Sequence, residues 1–124
     1  MSTQPFDKNL DATPLVKAIL EKTKAGKLRW EATAMENVFI ASVGGNTTFK
    51  IYLQDGEDIN PITQNFETVH FPILSLLDEK GKTLWEIRPG QVEGGLNPLF
   101  EIARRVGNKL DERMEAVIGA LQRL

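Results

Sequence analysis

The stretch Gly90-Gln91-Val92-Glu93-Gly94-Gly95-Leu96-Asn97-Pro98 is the segment of this chain best placed to hold a charged ligand. A glycine-containing loop there feeds the start of a helix, whose unpaired backbone N–H groups and positive dipole end attract anions. In that reading Gly94, Gly95 and Asn97 form an anion or nucleotide cradle. The competing reading is a plain connector, and the local residues favour it. There is no GxGxxG spacing and no P-loop lysine, no buried parallel strand precedes the loop, and Asn97 before Pro98 already makes sense as an N-cap followed by the first helical position.

Other chemistry is sparse. His70 is the single histidine and has no serine or carboxylate motif near it in sequence, so it supplies no triad and no paired metal ligand set; a structural or solvent-facing strand residue is expected. Asp55, Glu57 and Asp58 lack the twelve-residue ligand spacing and closing glutamate of an EF-hand and read as a solvated loop. The absence of cysteine removes disulfides, thiolate catalysis and cysteine metal sites together. Trp30 and Trp85 suit packing anchors better than a stacking pair for a ligand. No catalytic residue, cofactor or metal is assigned.

Composition narrows the partners. Fifteen basic residues face 17 acidic ones, for a net charge of -2 and a pI near 5.4, which lacks the electrostatic footprint of a dedicated nucleic-acid binder. No apolar run approaches the roughly 20 residues needed to span a bilayer. The first residues carry no basic and apolar regions of a signal peptide, so a soluble, cytoplasmic protein is expected.

The elements that must position these residues change period along the chain. Residues 1–12 are polar, with only Phe6 and Leu10 as anchors, and read as a flexible N-terminal arm; residues 13–124 form one domain. Thr13 as N-cap and Pro14 at the first helical position open a helix that buries Leu15 and Ile19 and ends near Ala25, before Gly26. Val38–Val43 and Thr47–Leu53 are strand-like, and Gly44-Gly45-Asn46 between them supplies a tight hairpin. Residues 55–66 read as a loop because of Gly56, Pro61 and their polarity. Val69–Leu77 resumes strand character, with Pro72 marking an edge, a bulge or a late start. Asp78 to Gly81 turns the chain into a last strand, Thr83–Ile87.

From Pro98 to Leu124 the period is helical. Val106, Leu110, Met114, Val117, Leu121 and Leu124 recur at three- and four-residue steps and share one face. Unbroken, such a helix runs roughly 40 Å at 1.5 Å per residue, against about 20 Å for a six-residue strand. The stripe therefore outruns the sheet, and the surplus points to a partner, most simply a second copy. Gly107 and Gly119 either permit close helix crossing or mark a break near Gly107-Asn108. Mixed charges on this helix, Arg104, Arg105, Lys109 and Arg113 against Glu101, Asp111, Glu112 and Glu115, read as a solvated face.

The order of elements, the Leu76-to-Lys82 hairpin and the closing helix resemble small uncharacterised bacterial α+β domains, a resemblance that carries over no site residues. The helix-sheet-helix plan is also similar to type III secretion chaperones, from which this chain departs by lacking an evident helix within its sheet. The expected fold is α+β and two-layered: an N-terminal helix, a four- to five-stranded antiparallel meander and a long C-terminal helix. The expected function is a non-enzymatic protein-interaction module, homodimeric through the sheet face or through Leu110, Met114, Val117, Leu121 and Leu124. The alternative is a small anionic-ligand binder at a dimer groove or the Gly94-Gly95 loop.

Overall fold

A computed structural model describes residues 11–124, so the expected arm, with Phe6 and Leu10, falls outside the described residues up to position 10. Helix α1 (Thr13–Lys24) is followed by strands β1 (Glu31–Ala32), β2 (Val38–Val43), β3 (Thr47–Ile59), β4 (Phe66–Leu77) and β5 (Thr83–Ile87). A short 3-10 turn, Pro89–Gln91, leads to helices α2 (Asn97–Gly107) and α3 (Leu110–Gln122). The strands form one antiparallel sheet whose spatial order follows the chain, as the short turns at Gly44 and Asp78 require.

One face of the sheet makes the core. Phe39, Ile51, Leu74 and Ile87 lie opposite one another across four strands, so their side chains point to the same side. They are buried in one cluster with Val16 and Ile19 of α1 and with Leu99, Phe100 and Ala103 of α2. The rings of Phe39 and Phe100 meet edge to face, with centroids 6.0 Å apart. Trp30 is a packing anchor as expected: it is buried, and its indole N–H donates to Thr23 Oγ1 at 3.1 Å, while that hydroxyl donates to the Ile19 carbonyl at 2.7 Å. This relay gives both buried donors a partner.

Four sequence expectations change. Asp55 to Ile59 is strand, not loop, because β3 and β4 pair continuously from Thr48↔Leu77 to Ile59↔Phe66. The glycine that read as a loop signal serves the pairing: a Cβ on Gly56 would lie 2.7 Å from Phe71 Cε1, so the ring covers bare backbone diagonally across the ladder. Pro72 precedes Leu74, the first residue of β4 that pairs with β5, so it is an edge position on that side.

The second change is at the start of α1, where Thr13 is not the cap. The Asp11 carboxylate accepts from both the Thr13 N–H, at 3.0 Å, and the Thr13 hydroxyl, at 2.5 Å. The Ala12 N–H donates to the Gln91 carbonyl at 2.8 Å, and the Glu93 N–H donates to Thr13 Oγ1 at 2.9 Å, so Ala12 and Thr13 are docked against the loop before α2. Third, Asn97 is the first residue of α2 and makes no capping bond with its side chain.

Fourth, the long C-terminal helix is two helices. Lys109 adopts a left-handed conformation, φ 54 and ψ 44, between them. The break falls where helix propensity is poorest, at Gly107-Asn108. Arg105 closes over it with two bonds to Asp111 Oδ1, at 2.7 Å and 3.1 Å. Gly107 does allow a close approach, but of α2 to Phe39 and Ala32 of the sheet and not to another helix, whereas a Cβ on Gly119 would meet only Arg123 Nη1, at 3.6 Å.

Candidate interaction surfaces

The apolar stripe of α3 stands in the open. No residue of this helix is buried, and Met114, Val117, Ile118, Leu121 and Leu124 are all exposed, Leu121 at 61% and Leu124 at 99%. Leu110 is half-buried and, with Met114 and Ile102 of α2, lines a groove of about 540 Å³ between the two helices. The spacing therefore puts Leu110, Met114, Val117, Leu121 and Leu124 on one continuous surface, apolar where a surface helix ordinarily turns polar.

The sheet face away from α1 and α2 presents Val38, Ile40 and Tyr52, each half-buried, and the Lys50 ammonium lies 5.2 Å from the centre of the Tyr52 ring. Ile73, the cross-strand partner of Tyr52, is fully buried on this face, and Leu74 is fully buried on the other. Along β4, Pro72 to Ser75 are buried, whereas Phe66 to Thr68 are exposed.

The loop before α2 is a turn with two glycines in left-handed conformation, Gly94 at φ 82 and Gly95 at φ 74. The Gly95 N–H donates to the Val92 carbonyl at 3.0 Å and the Glu93 N–H to Thr13, which commits two of the amides an anion would use. Asn97 is exposed beside them. His70 has a partner that the sequence did not disclose: Asp55 faces it across the β3–β4 ladder, with Oδ1 2.6 Å from Nδ1, and both side chains are exposed. Among the described residues no three potential metal-ligating groups cluster, and no helix is long and apolar enough to cross a membrane.

Two features escaped sequence reasoning. Beyond Leu53, β3 has left β2, and before Ile73, β4 has not reached β5, so the intervening ribbon is paired only with itself. Its turn is organised by Asn60, whose side-chain oxygen accepts from the Ile62 N–H at 2.9 Å and whose amide donates to Glu67 at 2.7 Å. That holds Ile62 outward, 90% exposed, beside Ile59 and Phe66. At the other end of the sheet, α1 and the β2–β3 hairpin border an open cavity of about 490 Å³, lined by Leu15, Ile19, Leu28 and Phe49 together with Lys22 and Lys27. The exposed apolar residues Ile59, Ile62 and Phe66 were the available sequence signal for the first. The second joins segments distant in sequence.

Comparison with protein families, with curated proteins and with solved structures gives no match for this chain. The described residues form a two-layer α+β domain with an antiparallel five-stranded sheet and three α-helices.

Proposed function

We propose that this chain is a non-enzymatic protein-interaction module that works in the cytoplasm as a homodimer, with α3 as its self-association surface. The observation that carries the reading is the exposure of Met114, Val117 and Leu121 along the apolar stripe of α3, a helix with no buried residue. A 13-residue helix is marginal in water on its own, and most helical stability comes from burying one face. A second α3 packed along Met114, Val117 and Leu121 supplies that burial with the same residues from both copies, as a two-fold interface requires. The anion-binding alternative is less well supported, because two amides of the Gly94-Gly95 loop are already engaged.

Sedimentation equilibrium on wild type, Leu110→Asp and Leu121→Asp tests the proposal. Leu121→Asp should change monomer stability by no more than about 0.5 kcal/mol, as at other exposed positions, and should abolish α3-mediated association. Leu110→Asp should cost about 1–3 kcal/mol of stability as well, since it places a carboxylate against Ile102 and Met114. Association of Leu121→Asp identical to wild type refutes the α3 interface.

A further inference from the structure

The β3–β4 ribbon and the cavity under α1 have complementary chemistry. Residues 54–71 carry four carboxylates, Asp55, Glu57, Asp58 and Glu67, and no lysine or arginine. The tip they surround is apolar: Ile59, Ile62 and Phe66 are all exposed, Phe66 at 71%. Residues 17–29, which wrap the cavity, carry five basic residues and one carboxylate. Two of those cations, Lys22 and Lys27, line a cavity whose floor is apolar. The near-neutral total charge conceals a molecule that is acidic at one end and basic at the other.

The two ends lie too far apart to meet in one chain. Phe49 lines the cavity and Ile59 sits at the tip, on the same strand. Ten residues of strand separate them by about 33 Å. An acidic, apolar-tipped arm and a basic, apolar-floored cavity at opposite ends of one rigid strand fit each other only between molecules. We infer that the β3–β4 arm of one copy seats Ile62 and Phe66 in the Lys22–Lys27 cavity of a second copy, and that the second copy returns the contact.

Reciprocity follows from the layout. With β3 of the two copies running in opposite directions, each arm lies over the other molecule's cavity, and the pair closes without leaving a free arm to recruit a third copy. Glu57, Asp58 and Glu67 then face Lys22 and Lys27 across the rim, where such charges speed encounter and fix orientation, while the buried side chains at the centre hold the contact. This interface is separate from the α3 surface and does not rest on it.

The test is complementation in sedimentation equilibrium and velocity runs on the full chain. One variant carries Ile62→Asp with Phe66→Asp, the other Lys22→Glu with Lys27→Glu; all four positions are exposed, and circular dichroism and melting temperature check that the fold persists. Each variant alone should lose one association step at least tenfold in Kd. An equimolar mixture should recover a mixed species, because it pairs one intact arm with one intact cavity. Raising salt should weaken the wild-type step. The same step should persist in Leu121→Asp, which separates failure here from failure of the α3 surface. Either of two results overturns the inference: variants that associate as wild type does, or a Leu121→Asp chain that is monomeric at every concentration, which would leave the cavity to an amphipathic anion and the arm to a different protein.

Discussion

Phe39 and Gly107 share one volume: a Cβ on residue 107 would lie 2.6 Å from Phe39 Cδ1 and 3.4 Å from the Ala32 backbone nitrogen. The last turn of α2 thus rests directly on β2 and β1. Gly107→Ala should destabilise the protein by about 1–3 kcal/mol through overpacking, which outweighs the roughly 1 kcal/mol that alanine gains over glycine in a helix. Urea denaturation reads the difference, and Phe39→Leu in the same chain should return part of it. A Gly107→Ala protein more stable than wild type would show that the ring yields freely.

The left-handed Lys109 sets the angle between α2 and α3. Lys109→Gly should be neutral or stabilising by up to about 1 kcal/mol, because glycine enters that conformation without steric cost. Lys109→Val should lose about 1–2 kcal/mol, since β-branching is most strained at positive φ. Thermal denaturation of the pair checks the contrast. Equal melting temperatures would mean that the link straightens at no expense.

Asp11 makes the start of α1 sensitive to acid. Bonds from the Thr13 hydroxyl, and next from the Thr13 N–H, hold its carboxyl below the usual carboxylate range. A folded-state pKa below the unfolded one means that the charged form stabilises the fold above the unfolded pKa, and that this contribution fades as pH falls through the ordinary carboxylate range and on below the lowered value. Asp11→Asn should flatten that part of the acid limb of a stability-versus-pH curve while changing its slope near neutrality little. An unchanged acid limb would show that the bonds persist on protonation.

Local pattern carried the strands and their order, since Gly44-Gly45-Asn46 and the Asp78 turn force neighbours together. It failed where a distant residue decides. Gly56 signals a loop until Phe71 is seen lying over it, and His70 is a lone histidine until the ladder register sets Asp55 opposite. The cap of α1 was misplaced by one residue, since the helix is entered at Ala12, and the polar Thr13 next to Pro14 masked Asp11, whose carboxylate accepts from the Thr13 N–H and hydroxyl. The α3 stripe was legible because heptad spacing is local. The cavity was not, because α1 and the β2–β3 hairpin meet only in three dimensions, and summing charges over the chain erased the separation of basic residues 17–29 from the acidic ribbon.

A sheet whose spatial order repeats its chain order also has a temporal consequence. Each hairpin closes a short loop, so the sheet assembles from local encounters at small entropic cost, as in low-contact-order proteins that fold fast. The contacts of the helices are non-local, among them the latch between Thr13 and Glu93, which are 80 residues apart. Closing it requires most of the chain to be in place, and loop-closure entropy therefore predicts that α1 docks late in folding and releases early in unfolding. Native-state amide exchange should show the Glu93 N–H opening at lower free energy than the amides of Phe49 to Leu53 in the middle of the sheet. The cavity roofed by α1 would then come and go with that helix, and self-association through it would be governed by how tightly Asp11, Thr13 and Glu93 keep the latch shut.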